Sequence, residues 1–544
     1  MESLTYYDTF DWRLHDAGIT LAETAASPDE ATSAKQWIVR HPNAAVDRLN
    51  TESEPGFAWD LPEGRLREEL GPLLDVRKLL PVVHVEATGK TLCVLDEETK
   101  TLVRIHLREG KVREPEGEER DLPVTLRVAP LRGYDRERDE VVKYLRKELK
   151  LDEAGSDELG AALQAVYRTA GDYSSKMRLH LEADQPAALA TAFIHKTLMA
   201  SILANEDGVR QDIDSEFLHD FRVAVRRTRS ALSQVKNVFP AKEVERFKGD
   251  FAWLGSITGP CRDLDVYLLK IEDYEASLPE EIRPHLEPLR TFLHAEKQRE
   301  LRRLVRSLGT QRYKKVLTGW EEFLDSVSVP EEAISEEVAP EVSEEPVPEE
   351  PVSEEVVAEA KSEADDELAD AGRSIREVSA ERIWRAYRRI LKKGRAITPE
   401  TPADPVHRLR IDAKKLRYLL EFFKSLYPEK EIRPLIRSLK SLQDNLGDFN
   451  DYEVQRDKLG EFAHKMQKSR SRPSVDTLLA MGELVAGLRQ GQAVERRRFH
   501  DRFEQFDSPA NRAAYEKLFG PAKKPKKAGK APAKKAPKKQ KKKD

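Results

Sequence analysis

The stretch Leu218-His219-Asp220-Phe221-Arg222-Val223-Ala224-Val225-Arg226-Arg227-Thr228-Arg229 decides the fold, because the chain contains it twice. Its second copy is Val406-His407-Arg408-Leu409-Arg410-Ile411-Asp412-Ala413-Lys414-Lys415-Leu416-Arg417. A shift of 188 residues lays His219 on His407, Arg222 on Arg410, Arg226 and Arg227 on Lys414 and Lys415, Arg229 on Arg417, and Lys236 on Lys424. Pro240 falls on Pro428 without a gap, and the same shift carries Gly259 onto Gly447, Asp263 onto Asp451 and Val266 onto Val454. The repeat therefore spans one helical unit and its successor, which implies two copies of one module.

Neither copy contains Pro or Gly, and helix formers dominate both, so each reads as an amphipathic helix. His219, Arg222, Arg226, Arg229 and Lys236 recur at steps of 3, 4, 3 and 7 and share one stripe, with Phe221, Val225, Thr228, Leu232 and Val235 opposite. His407, Arg410, Lys414, Arg417 and Lys424 repeat the stripe against Leu409, Ala413, Leu416, Leu420 and Phe423. Each helix is expected to pack by one face and offer cations by the other. Asp404-Pro405 reads as an N-cap and first-turn pair, and Ser215 as the cap of the first copy. A histidine near that end opposes the helix dipole, whereas an anion docked there is favoured.

A basic helix face that is merely solvated mixes in acids to gain i,i+4 pairs. These stripes hold one acid, Glu421. Repetition of the same basic positions argues for a ligand, while the histidines alone fit a cap, a core position or a ligand contact equally well.

A chain of 544 residues has room for about three or four domains. Its net charge of −5 hides a strong asymmetry. Residues 328–368 hold 16 acidic side chains and one Lys, and residues 521–544 hold 12 Lys and one Asp. The rest is close to neutral, so any positive field must come from local clustering. The acidic run, built on Val-Pro-Glu-Glu and Val-Ser-Glu-Glu units, reads as a disordered linker, and the Lys/Ala/Pro run as an unfolded tail that binds polyanions nonspecifically. Cys93 and Cys261 give neither a disulfide framework nor a CxxC metal signature. The N-terminus shows no signal peptide and no apolar run reaches membrane-spanning length, so a cytoplasmic protein without a membrane partner is expected.

Before residue 150 the pattern changes. Leu92–Leu95, Thr101–Arg108 and Val124–Val128 are β-prone runs separated by polar segments such as Asp96–Thr99. Val103, Ile105 and Leu107 alternate with Arg104, His106 and Arg108, which predicts one apolar and one basic face. Residues 135–180 read as charged and helical. The first half reads as helices over 187–205, 215–238, 242–274 with a break at Gly259-Pro260, and 284–308. Arg299, Arg302, Arg303 and Arg306 fit an extension of the basic surface and a solvated face equally well, and Arg496, Arg497 and Arg498 lie on the last helix of the second half.

His followed by Arg at +3, a basic pair at +7 and +8 and Arg at +10, present twice and followed by Gly and an Asp-containing segment, resembles the CHAD family, the conserved-histidine α-helical domain. The resemblance covers roughly residues 185–520. It implies a mainly α fold: two duplicated antiparallel helical bundles related by a pseudo-twofold axis, here after a small N-terminal α+β antiparallel-sheet domain. It also implies non-enzymatic binding of inorganic polyphosphate in a basic groove, without a cofactor, and association with polyphosphate granules. Carried over, the ligand-facing residues are His219, Arg222, Arg226, Arg227, Arg229, His407, Arg410, Lys414, Lys415 and Arg417, with Lys236 and Lys424 continuing the stripes. The domains are then 1–150, 180–327, a linker at 328–374, 375–520 and a tail at 521–544.

Tyr6-Tyr7-Asp8-Thr9-Phe10-Asp11-Trp12-Arg13-Leu14, with Gly18-Ile19-Thr20-Leu21 and Pro130-Leu131-Arg132-Gly133-Tyr134, is similar to parts of the CYTH family, the triphosphate-tunnel fold. That family holds divalent metal on glutamates beginning in an N-terminal Glu-x-Glu-x-Lys strand, which this sequence lacks, so the resemblance implies a truncated, non-catalytic domain. Two rival functions remain at this stage. Nucleic acid fits the same cations, although single-strand binders add aromatic stacking platforms and only Tyr418 flanks a stripe. A metal-dependent phosphohydrolase is suggested by His219-Asp220, yet the second copy has Arg408 in place of the Asp, and the CYTH resemblance leaves a metal-dependent triphosphate hydrolase or cyclase in the N-terminal domain as the other enzymatic alternative.

Overall fold

The computed structural model describes residues 2–24, 35–42, 46–51, 54–153, 155, 157–327, 368–469 and 472–521. An antiparallel sheet opens the chain. Its strands are β1 (Glu2–Asp8), β2 (Thr20–Thr24), β3 (Lys35–Arg40), β4 (Val46–Thr51), β5 (Leu80–Leu95), β6 (Thr101–Arg113), β7 (Arg120–Asp121) and β8 (Thr125–Pro130). They run in the order β4-β3-β2-β1-β5-β6-β7, with β8 also paired to β6. Asp96 Oδ1 closes the long β5–β6 hairpin by accepting from the backbone N–H groups of Glu98 and Lys100, as an Asp at the start of a turn does.

Four helices accompany the sheet: α1 (Arg13–Asp16), α2 (Arg65–Leu74), α3 (Asp135–Glu148) and α4 (Glu158–Ala165). Side chains alternate along β1, so Leu4 and Tyr6 join one cluster and Tyr7 the other. Leu70 and Leu74 of α2 cover the Tyr7 face with Trp37 and Val39. Leu159, Ala162 and Leu163 of α4 cover the Tyr6 face with Val83 and Val85. Apolar side chains thus fill both faces of the sheet around β1 and β2, while Leu92 and Leu95 at the far end of β5 are exposed, and among the described residues its terminal strands do not pair with each other.

The first helical half consists of α5 (Ala187–Gln211), α6 (Ser215–Gln234), α7 (Ala241–Leu269), α8 (Ile271–Ala276), α9 (Glu287–Leu308) and α10 (Gln311–Ser326). The second consists of α11 (Ile375–Arg395), α12 (Ala403–Phe423), α13 (Glu429–Lys468), α14 (Val475–Phe506) and α15 (Pro509–Phe519). The halves share one core, in which Ile194, Phe221 and Phe251 are continuous with Ile383, Leu409, Leu416 and Leu439. A second cluster joins Leu264 and Tyr267 of α7, Leu293 of α9, Phe462 of α13 and Leu484 of α14.

Several details differ from the sequence reading. No break occurs at Gly259-Pro260: α7 continues through Pro260. A proline removes one helical N–H and crowds the preceding turn. That turn carries extra donors, from Arg222 Nη1 to Gly255 O at 3.0 Å and from Thr258 Oγ1 to Leu254 O at 2.8 Å. The N-cap of α6 is Asp214, whose carboxylate accepts from Glu216 N and Phe217 N, and Ser215 is the first helical residue. In the second copy α12 already begins at Ala403, and Asp404 pairs with Arg408 instead of capping. Contrary to expectation, α5 has the length and apolarity to cross a membrane, with a mean hydropathy of 1.5. Here it is a core helix, with Ile194, Leu198, Ile202 and Val209 buried. The expected linker 328–374 ends early, since Asp370 and Ala371 are buried in the fold. Its residues 328–367, and residues 522–544 of the expected tail, lie outside the described residues.

The sheet docks onto the first turn of α6. Arg77, fully buried, reaches Asp11 at 3.4 Å, Asp214 at 3.2 Å and Asp220 at 2.6 Å. Burial opposes its charge, but the three carboxylates outweigh that effect and hold its pKa above the usual arginine value. Tyr173 OH donates to Asp220 as well, and Phe10 packs on Phe217 at 4.6 Å between ring centres.

Candidate functional site

α6 packs on α12, and each packs on its successor, α7 or α13. These four helices enclose a cleft of about 380 Å³. From α6 it receives His219, Arg222 and Arg226, and from α12 Arg410 and Lys414. From α7 come Arg262, Asp263, Val266 and Tyr267, with Lys270 just past its end, and from α13 Asp451, Val454, Gln455 and Lys458. The 188-residue shift pairs Arg222 with Arg410, Arg226 with Lys414, Asp263 with Asp451, Val266 with Val454 and Lys270 with Lys458. The lining is one half-site built twice.

The symmetry fails at the histidines. The repeat partner of Arg262 is Asn450. Arg262 Nη2 donates to His219 Nδ1 at 3.0 Å, and this contact assigns the ring proton to Nε2. Burial, with Arg262 and Arg226 repelling a proton, pushes His219 down to about 3. His219 therefore supplies a neutral donor and orients Arg262, in place of the cation the stripe reading gave it. His407 Nδ1 lies 2.5 Å from Asn450 Oδ1 and donates to it; the ring is exposed and does not line the cleft. Both histidines are the fifth residue of their helices.

Seven cations and two carboxylates line the cleft. Arg410 pairs with Asp451 at 2.9 Å, and Lys458 with Glu461 at 2.7 Å. Among the described residues Arg226, Lys270 and Lys414 form no ion pair within 4 Å. Burial, with Arg410 and Arg226 nearby, pushes Lys414 down to about 8. Burial also lowers Arg222, against the attraction of Asp263. Crowding like charges is unfavourable by about 4 kcal/mol for a pair 4 Å apart at an effective dielectric of about 20. A bound anion relieves that repulsion.

Of the twelve residues expected to face a ligand, His219, Arg222, Arg226, Arg410 and Lys414 line the cleft. Arg227 instead meets Glu421 at 2.9 Å, and Arg417 holds the other oxygen of the same carboxylate at 2.8 Å. The lone acid of the stripes is thus a clamp between α6 and α12. Lys236 and Lys415 line a separate hollow with Arg382, Arg385 and Arg389. Arg229 and Lys424 are outside the cleft lining, the latter in a short 3-10 turn after α12. Arg262, Lys270 and Lys458 were missed, although Lys270 and Lys458 obey the repeat shift. Arg303 pairs with Glu300 at 2.6 Å and Arg498 with Glu495 at 2.7 Å within their own helices, whereas Arg496 donates to Pro399 O at 2.8 Å in the loop before α12. Asp220 is turned to Arg77, so no His-Asp pair forms at His219. Among the described residues no group of three or more His, Cys, Asp and Glu side chains is placed to hold a metal ion.

The CHAD domain family model matches residues 194–460, the span that contains both copies of the repeat and every residue lining the cleft. The chain contains a CHAD domain. Family membership supports a polyphosphate-related function. The CHAD domain from the plant Ricinus communis, known from a crystal structure, is similar at 23% identity, covering 63% of this chain and 96% of that one with a TM-score of 0.43. PptA from Streptomyces chartreusis is similar at 14% identity, covering 59% and 99%, with a TM-score of 0.41. No curated protein matches the chain. The CHAD match leaves the N-terminal sheet outside its bounds.

Proposed function

We propose that the CHAD domain binds inorganic polyphosphate in the cleft between α6 and α12, without turning it over. The observation that carries this reading is the doubled half-site: Arg222, Arg226 and Lys270 face Arg410, Lys414 and Lys458 across one opening. Polyphosphate offers roughly one negative charge per unit and no base edges, so it requires donors at regular spacing and nothing more. Arginine supplies forked donors to phosphate oxygens and lysine supplies point charges. Counterion release makes such binding fall steeply with salt.

A nucleic acid presents the same charge, but sequence-tolerant single-strand binding adds exposed aromatic platforms. Tyr267, the aromatic side chain in the cleft, is 3% exposed, and Tyr418 is buried in the core. Competition tests the assignment: long-chain polyphosphate bound to the full chain should resist displacement by single-stranded DNA at equal charge concentration. Ready displacement refutes it. Incubation with polyphosphate or triphosphate and Mg²⁺ or Mn²⁺ should release no phosphate, and release in a purified sample refutes the non-enzymatic part. On this reading the sheet, joined to the first turn of α6 through Arg77, serves as a support for that helix and not as a second reaction centre.

A further inference from the structure

A second cationic hollow lies where α6 ends, between α11 and α12. It has a volume of about 240 Å³ and gathers Lys236, Arg382, Arg385, Arg389 and Lys415. Its one carboxylate, Asp412, is held by Lys393 at 2.7 Å. Among the described residues Lys236, Arg389 and Lys415 form no ion pair within 4 Å. Of the five cations, Arg382 is met by Asp370 and Arg385 by Glu381 at 3.4 Å, which leaves Lys236, Arg389 and Lys415 without a carboxylate partner among the described residues.

The chain itself carries such counter-charge, and the described residues on either side of it lie near this place. Residues 328–367 carry 16 carboxylates and one lysine in their sequence. Where the described chain resumes, Asp370 N–H donates to Asn237 O at 3.1 Å, next to Lys236. Asp370 is also bound by Arg382, which donates a second bond to Lys236 O at 3.2 Å. The acid closest to the run is thus already seated on an arginine of the hollow. At the other end, Phe323 of α10 packs against Phe239 at 5.3 Å between ring centres. Both ends of the acidic run therefore flank the loop that carries Lys236, which keeps the loop-closure cost of docking nearby small.

We propose that the acidic run 331–367 docks in cis on the hollow formed by Lys236, Arg385, Arg389 and Lys415, its glutamates supplying the missing counter-charge. Lys414 and Lys415 are neighbours on α12 that face the cleft and the hollow respectively, so the two sites are distinct faces of one helix pair. Docking at the hollow leaves the cleft open to its own ligand, and it holds whether or not that ligand is polyphosphate.

Zero-length carbodiimide cross-linking of the full chain, mapped by mass spectrometry, tests this directly because it joins only amines and carboxylates already in contact. Lys236 and Lys415 should link to glutamates of 331–367. Those links should be lost at about 1 M salt, where the screening length is about 3 Å, and in the R385E/R389E variant. A link between Lys196 and Asp325, 2.6 Å apart, verifies that the reagent has worked and the fold is intact. The proposal is overturned if the run links to Lys270, Lys414 and Lys458 of the cleft, to the lysines of 522–544, or to none. A mixture of isotope-labelled and unlabelled protein distinguishes docking in cis from docking between copies, and links that join the two labels overturn it as well.

Discussion

Removing Arg226 and Lys414 together gives the sharpest test of the cleft. Both line it, both lack a carboxylate partner among the described residues, and they are repeat equivalents. A hydrogen bond to a charged group contributes about 1.5–3 kcal/mol, so each substitution to Ala should weaken polyphosphate binding by about 10- to 150-fold. Their effects should not add. Arg226 is one of the charges that depress Lys414, so losing either relieves the other, and the double variant should fall short of the sum by about 0.5–3 kcal/mol. Each lost cation should also lower the slope of log affinity against log salt by about one, by analogy with nucleic acids. Anisotropy of end-labelled polyphosphate over a salt series reads both quantities, on a chain ending at residue 521 so that the terminal lysines do not mask the site. The control is Arg299 and Arg303 changed together to Ala, which removes the same charge from guanidinium groups that serve Glu296 and Glu300. If control and cleft variants weaken alike, the cations act as a diffuse field and the cleft is not a site.

Three further outcomes follow from the same structure. Arg77→Met should cost about 3–5 kcal/mol in denaturant unfolding, because Asp11, Asp214 and Asp220 lose their shared cation while buried; an unchanged midpoint would mean that the sheet is not anchored through it. Polyphosphate affinity should be level up to about pH 8 and fall above it, because a bound anion raises Lys414 from its free value of about 8 and binding then takes up a proton; Lys414→Arg should abolish that inflection in a titration of affinity against pH. His195 is fully buried and burial pushes it down to about 3 from 6.5, so the unfolded state gains a proton that the folded state refuses. Stability should therefore be lost as pH falls from 6.5 toward 3, by about 1.4 kcal/mol per unit from this group, and His195→Phe should flatten that part of a stability profile measured by denaturant titration.

The 188-residue repeat was legible because it is written in side-chain chemistry at fixed spacing. It predicted that α6 and α12 are equivalents, gave their apolar sides, and placed Asp263 and Asp451 in register with the basic residues. The alternation through Val103, Ile105 and Leu107 marked the β6 strand for a similar reason, since period two admits few other readings. The break expected at Pro260 did not occur: α7 carries the proline without interruption, and Arg222 reaches the turn before it from another helix, a contact no local pattern reveals.

What the residues determined alone was a set of amphipathic helices occurring twice and a stripe of cations on each. What only the tertiary structure decided was which turns of each stripe meet. Two crossing helices approach over a limited length, so Arg222, Arg226, Arg410 and Lys414 converge while Lys236 and Lys415 face another hollow. The docked sheet made the same kind of decision. It claims Asp220 through Arg77 and has no counterpart at Arg408, so one copy of the repeat holds a domain while the other meets solvent. Sequence spacing sets direction around a helix, whereas distance along it to a partner is set by packing, and binding depends on both.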